Sequence, residues 1–175
     1  MTKTIKNTIS KSELRKLFDY DAKRGVLLWK PRKPTCRGDR MFNSRFSGTV
    51  AGYIKPTGYR VIYLDGRPQL ASRLIWAWHH GPAKSLIDHK DRDTTNDKIE
   101  NLREATYSQN GYNRRVRKDS RTGLKGVAPV RDKFVARIIK DREYLHLGTY
   151  ETAIEAHSAY LGAARVLHGE FFTRP

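Results

Sequence analysis

Residues 88–113 read DHKDRDTTNDKIENLREATYSQNGYN, and this polar stretch is the most informative in the chain. Within it the imidazole of His89 directly follows the carboxylate of Asp88, and the amide side chains of Asn101 and Asn110 come at short intervals after them. Side chains of these kinds can together bind a cation and transfer a proton. As bare chemistry, the same pattern also fits a structural turn in which the asparagines satisfy backbone groups.

The composition indicates a nucleic-acid partner. Lysine and arginine number 35 against 18 acidic residues, which gives a formal charge of +17. Such an excess repels itself unless a polyanion neutralises it. With 175 residues the chain can form one ordinary domain or two small ones, and we expect two small units.

A membrane protein or a disulfide-stabilised protein is not indicated. The longest apolar run, Leu74–Trp78, is far too short to cross a bilayer, and residues 1–10 lack the apolar core of a signal peptide. We therefore expect no membrane partner and a cytoplasmic protein, in the cytoplasm of the host cell if a phage encodes it. The single cysteine, Cys36, excludes an internal disulfide and a paired-cysteine zinc ribbon, so no structural zinc is expected.

Periodicity and turn signals predict an α+β chain. Ser10 and Glu13 form a capping-box pattern for a first helix, and the basic stretch 30–47, broken by prolines and glycines, is predicted to be a loop that becomes ordered only on DNA. Trp76 and Trp78 are interpreted as packing residues. The predicted elements of this half are a helix over 11–20, strands over 26–29 and 58–64, a hairpin turn at Asp65-Gly66 and a helix over 70–80 that ends at Gly81-Pro82.

After residue 113 the composition changes to a charged, turn-rich stretch that we interpret as a linker over 114–124. Strands are predicted over 126–130, 133–140 and 144–147, followed by a helix over 152–168. Small residues along one side of that helix would let it lie close to a sheet.

Cleavage of a phosphodiester needs a nucleophilic water, charge stabilisation at the phosphate and help for the departing 3′ oxygen. A hard divalent cation, Mg²⁺ or Mn²⁺, can provide the last two, and Asp88 with the side-chain oxygen of Asn110 would suffice to bind it. His89 suits removal of the proton from water because an imidazole can act as a neutral base near neutral pH. Asn101 is the candidate acceptor that holds the ring in one tautomer.

The run from Ile87 to Asn113, with Asp88-His89, Asn101-Leu102-Arg103 and Gln109-Asn110 in that order, resembles the HNH endonucleases of phage and intron-homing type. The resemblance implies a compact ββα-metal fold with strands near 86–89 and 101–105 and a helix from about residue 107. It matches His89 to the general base, Asp88 and Asn110 to the metal ligands, and Asn101 to the residue that orients the base. Residues 14–81 also resemble the front half of phage-encoded members.

The C-terminal segment resembles the AP2 DNA-binding domain, through Lys125-Gly126-Val127, 134–138, 146–150 and 155–160. In that family a three-stranded sheet lies in the major groove and a helix packs behind it. Strand alternation then predicts which side chains face the helix: Ala136, Ile138, Leu145 and Leu147. It predicts that the DNA-facing side carries Arg137, Ile139, Tyr144 and His146.

The predicted DNA contacts are basic and aromatic residues of the sheet and the linker: Lys125, Arg131, Lys133, Arg137, Arg142, Tyr144, Arg114, Arg115 and Arg117. An arginine on such a sheet can read guanine through a bidentate contact. For each single residue, a merely solvated surface position is the alternative.

The sequence thus predicts an HNH endonuclease domain with an N-terminal extension over 1–113, a basic linker over 114–124 and an AP2-like DNA-binding domain over 125–175. The predicted activity is metal-dependent hydrolysis of duplex DNA, by a monomer or a homodimer. Two alternatives stay open. One is a non-catalytic, sequence-specific DNA-binding regulator, and the other is an RNA-directed nuclease.

Overall fold

A computed structural model describes residues 9–141 and 143–172, and the predicted DNA contact Arg142 lies outside them. Helices and sheets are mixed along the chain, in agreement with the predicted α+β class. The chain divides into two compact units. The first comprises Met1–His89 and Asp93–Glu104, and the second comprises Lys90–Arg92 and Ala105–Pro175. This division differs from the boundaries at 113 and 124, which stay a prediction.

The elements of the first unit alternate short helices with antiparallel strands. In chain order they are α1 (Lys11–Leu17), β1 (Phe18–Asp21), β2 (Val26–Trp29), α2 (Arg37–Phe46), β3 (Tyr53–Ile54), β4 (Arg60–Leu64), β5 (Arg67–Leu70), α3 (Ala71–His80), β6 (Leu86–His89), a 3₁₀ turn (Ile99–Asn101) and β7 (Leu102–Ala105). The sheets pair β1 with β2, β4 with both β3 and β5, and β6 with β7.

Helix α1 is shorter than predicted. Its capping box is present, since the Ser10 hydroxyl accepts from the Glu13 amide and the Glu13 carboxylate accepts from the Ser10 amide. The predicted extension to residue 20 is wrong, because Phe18–Asp21 pairs with Val26–Trp29 as a strand. The hairpin turns at Gly25, which has φ of 65° and so suits glycine.

The prediction of a loop over 30–47 is wrong, because residues 37–46 form helix α2. Asp39 in its first turn accepts hydrogen bonds from the backbone amides of Thr35 and Cys36. Phe42 packs edge-on against Trp29 with ring centroids 5.4 Å apart. None of the residues of α2 is fully buried. The sequence therefore did not need the continuous apolar stripe from which a helix is usually predicted.

The hairpin and the following helix agree with the sequence analysis. Asp65 and Gly66 both have positive φ, 49° and 72°, as a two-residue hairpin turn between β4 and β5 requires. Helix α3 ends before Gly81, which has φ of 91°. Trp76 and Trp78 are partly buried against the core, and the Trp78 indole donates to the Phe18 carbonyl, which confirms their packing role. The short strand β3 was not predicted.

The second unit contains one small sheet covered by a helix. Its elements are α4 (Tyr107–Tyr112), β8 (Val127–Val130), β9 (Lys133–Lys140), β10 (Glu143–Tyr150), α5 (Ala153–His168) and a 3₁₀ turn (Gly169–Phe171). The antiparallel order is β8-β9-β10, which confirms the predicted three strands and helix. Residues 114–124 contain turns but no helix or strand.

The two faces of this sheet differ as predicted. Ala136 and Ile138 on β9 are buried among α5 residues such as Ala156 and Tyr160, whereas Arg137 is exposed. A bulge in β10 lies between His146, which pairs with Arg137, and Gly148, which pairs with Ala136. The inserted residue, Leu147, packs on the helix side. Leu145 pairs with Ile138 but is 38% exposed, so the burial against the helix that was predicted for it is not seen.

Candidate active site

His89 ends strand β6 and is buried, with 5% of its surface exposed. Its Nε2 lies 2.8 Å from Oδ1 of Asp97, which is also buried. A carboxylate can only accept a hydrogen bond, so a neutral His89 ring carries its proton on Nε2. This pair provides the orienting contact that a histidine base requires.

Asp97 was not among the residues identified from the sequence. The orienting role was predicted for Asn101, whose side-chain nitrogen donates to the Asn96 carbonyl at 2.8 Å. Asn101 therefore fixes the backbone next to Asp97, and a direct role for it toward His89 stays a prediction. The sequence signal for Asp97 was its place in a turn-rich loop eight residues after His89.

The loop that carries Asp97 is held from both sides. Within it, the Asp93 side chain accepts from the amide and the hydroxyl of Thr95, a local Asx turn. From the N-terminal hairpin, the Tyr20 hydroxyl accepts from the Ile99 amide at 2.9 Å. Burial raises the pKa of Tyr20, so this hydroxyl stays neutral at physiological pH. The N-terminal extension thus helps to position the histidine's partner.

Asp88, the residue before His89, has a different partner. The Arg103 side chain on β7 donates from Nε to Asp88 Oδ2 at 2.9 Å, and its Nη2 lies 2.8 Å from the same oxygen. Both residues are buried, with 6% and 8% of their surfaces exposed. Arg103 belongs to the motif Asn101-Leu102-Arg103, and no role was predicted for it. The structure shows that it neutralises a carboxylate inside the protein.

Asn110, the other predicted metal ligand, lies on α4 in the second unit. Its backbone amide donates to the Thr106 carbonyl in the first turn of that helix. Convergence of its side chain with Asp88 stays a prediction. Across the part of the chain that the structure describes, no group of three or more histidine, cysteine, aspartate or glutamate side chains is arranged to hold a metal ion.

The predicted DNA contacts of the second unit have distinct surroundings. Arg137 is exposed, with its guanidinium carbon 5.6 Å from the centre of the Tyr144 ring, and Tyr144 is 68% exposed. Lys133 forms an exposed ion pair with Glu151. Four arginines are exposed in turns or in the segment after α4: Arg131, Arg114, Arg115 and Arg117.

Lys125 differs from these residues because its ammonium contacts the protein. It donates to the carbonyls of Tyr112 and Arg114, at 2.5 and 2.6 Å, and so caps the end of α4. Burial, together with the nearby charge of Arg92, lowers the pKa of Lys125 to about 8. Its structural contacts make it a weaker candidate for direct DNA contact than Arg137.

The middle of the chain is similar to known proteins. Residues 69–112 match the family model described as HNH endonuclease, and this segment contains α3, β6, β7 and α4. Over 122 residues, the chain is 30% identical to a protein of Acanthamoeba polyphaga mimivirus named an uncharacterized HNH endonuclease. That alignment covers 68% of this chain and 63% of the viral protein. No solved structure matches the chain.

Two buried side-chain contacts lie within the matched segment. The segment that matches the HNH endonuclease model contains the buried ion pair of Asp88 with Arg103 and the hydrogen bond of His89 with Asp97. Both lie on or beside the paired strands β6 and β7.

The helices within residues 9–141 and 143–172 are too short or too polar to span a membrane.

In a nuclease whose base is His89, replacing Asp97 with asparagine is expected to lower the cleavage rate about 10- to 100-fold, a range typical of residues that orient a functional side chain through a hydrogen bond. The amide can present its nitrogen to the ring, so it no longer fixes one tautomer. The measurement is single-turnover cleavage beside DNA affinity. Affinity should be unchanged, and Asp97→Glu should recover part of the rate. An equal loss of affinity and rate would give Asp97 a purely structural role.

Proposed function

We propose that this chain is a metal-dependent endonuclease that hydrolyses phosphodiester bonds in duplex DNA. The observation that carries the proposal is the buried His89–Asp97 pair, because it lies inside the segment that matches the HNH endonuclease family. In the proposal, His89 accepts the proton of the attacking water, and Asp97 holds its ring in the required tautomer. Asn101 supports the loop that carries Asp97.

The donor set fits a hard divalent ion, because Asp88 and Asn110 offer carboxylate and amide oxygens. When bound, Mg²⁺ or Mn²⁺ would stabilise negative charge at the phosphate and on the departing 3′ oxygen. Arg103 would hold Asp88 in place through Oδ2.

In the same proposal, an AP2-like second unit docks on the duplex and holds the nuclease domain over its site. Its support is the small three-stranded sheet with Arg137 on the solvent face and an apolar helix on the other. Phosphate contacts from lysine and arginine should make binding steeply dependent on salt. Homing-type activity and a phage origin belong to the proposal as well, and the similarity to a viral protein supports a viral setting.

The direct test is conversion of supercoiled plasmid to nicked or linear DNA with Mg²⁺ or Mn²⁺, with and without a chelator. Cleavage that the chelator abolishes supports the proposal, and nicked versus linear product distinguishes single-strand from double-strand cutting. Absence of cleavage with both ions, together with tight duplex binding, would favour a DNA-binding regulator. That alternative has one specific support, because the buried Asp88–Arg103 pair also suits a purely structural role.

We predict that Arg137→Ala weakens DNA binding by about 1–3 kcal/mol in a sequence-dependent manner, as loss of a bidentate base contact would. The control is Arg165→Ala, which removes the same charge from the exposed side of α5. Affinities for a panel of duplexes, measured at constant salt, would check the prediction. An equal loss on every sequence would make Arg137 a phosphate contact.

A further inference from the structure

The second unit contains a cavity of about 480 Å³ that the proposed function leaves without a role. It lies within one compact unit, since all its lining residues belong to the segment after residue 104. Helix α4, strands β9 and β10 and helix α5 each contribute to its wall. Its volume is in the range of pockets that accept small organic ligands or parts of them.

Several aromatic side chains line this cavity. The lining includes Tyr107 at the start of α4 and Tyr144 on β10, which are 80% and 68% exposed. On another wall, the Tyr112 ring stacks on the His168 ring, with centroids 3.8 Å apart and planes 5° from parallel. Exposed tyrosines beside a preformed aromatic stack offer planar apolar surface, which a flat ligand could cover.

The lining is also strongly basic. Arg137 lies beside the Tyr144 ring, and Arg114 and Arg117 from the segment after α4 complete a cationic edge. Lys125 contributes to the wall chiefly by holding the carbonyl of Tyr112 in place. None of the described residues that line the cavity has an acidic side chain. A ligand with an anionic group and an aromatic ring would satisfy both parts of this surface.

We propose that the cavity binds one unstacked nucleobase of DNA, with the flanking phosphates on Arg114 and Arg117. Nucleic acid has the required combination of charge and planar rings, and base–aromatic stacking is a general means of binding unpaired nucleotides. A paired duplex hides the faces of its bases and shows only their edges. The base must therefore come from a single strand or from a nucleotide turned out of the helix. This role deepens the proposed function, since it would fix the position of the DNA relative to the second unit.

Anisotropy titrations in EDTA test this inference without any cleavage. Four labelled probes are needed: a paired 30-mer duplex, the same duplex with a one-nucleotide bulge, that bulge with an abasic residue in place of its base, and the bulged strand alone. We expect the bulged duplex to bind about 5- to 150-fold more tightly than the abasic one, which is the range that stacking of one base provides. A preference limited to the single strand would identify the source as unpaired DNA rather than a nucleotide extruded from a duplex.

Two variants connect this preference to the cavity. Tyr144→Ala should remove the advantage of the bulge over its abasic counterpart, while Tyr144→Phe should retain it because the ring remains. Tyr63→Ala, which removes an exposed tyrosine from the first unit, is the matched control and should change nothing. Tyr144 is exposed, so its replacement should leave the thermal midpoint of unfolding unaltered.

The inference is overturned if bulged, abasic and paired probes bind equally, if Tyr144→Ala weakens all of them to the same extent, or if no probe binds. Its failure can be separated from failure of the nuclease proposal. Wild-type protein that cleaves plasmid but shows no base preference would lose only this inference. A His89→Ala variant that no longer cleaves should still prefer the bulge.

Discussion

Alanine in place of His89 should reduce DNA cleavage by about two to four orders of magnitude, the usual contribution of a general base. The physical reason is that no other side chain is expected to take the proton from water at that position. DNA affinity should be nearly unchanged, because the proposed docking residues, Arg137 among them, belong to the second unit. Single-turnover cleavage rates and equilibrium binding in EDTA measure the two effects separately.

The matched control is His80→Ala, since His80 is an exposed histidine at the end of α3 in the same unit. It should cleave at the wild-type rate. Because His89 is buried and bonded to Asp97, the thermal midpoint of each variant has to be measured as well. Loss of binding or of folding together with loss of cleavage would assign His89 a structural role. A cleavage rate close to wild type would remove it from the mechanism.

The sequence predicted correctly those features that depend on neighbouring residues, such as a helix start and a hairpin turn. Ser10 with Glu13 marked the start of α1, and Asp65-Gly66 marked the hairpin turn, because capping and turn chemistry involve neighbouring residues. The end of α1 was missed because pairing of Phe18–Asp21 with Val26–Trp29 overrides helix propensity. Helix α2 was missed because Phe42 packs on Trp29, a partner outside the helix.

The candidate site was predictable only in part, for a similar reason. His89 was identified from its motif and lies within residues 69–112, which match the HNH endonuclease model, and its role as the base stays a prediction. Its partner Asp97 depends on how the loop folds back, which in turn depends on Tyr20 and the Asn101 side chain. The contact of Arg103 with Asp88 requires the pairing of β6 with β7. No spacing rule indicates such contacts, because several segments create them together.

The Asp88–Arg103 pair leads to the second prediction with a large effect. Arg103→Met should lower the free energy of unfolding by about 3–5 kcal/mol, because it leaves the buried carboxylate of Asp88 without its cation. The control is Asp19→Ala, which breaks the pair of Lys30 with a carboxylate whose side chain is 62% exposed. Such surface pairs contribute about 0–1 kcal/mol, so this variant should unfold almost as the wild type does.

Denaturant unfolding of Arg103→Met, of Asp88→Asn and of the variant that combines both changes separates the cost of the buried charge from the cost of lost packing. If the cost arises from an unpaired buried charge, neutralising Asp88 should return a large part of the lost stability, so the two changes will not be additive. Additive losses would instead attribute the effect to the missing volume of the Arg103 side chain. A loss below about 1 kcal/mol for Arg103→Met would mean that Asp88 does not depend on this partner. Arg103 would then have no part in holding the proposed metal ligand.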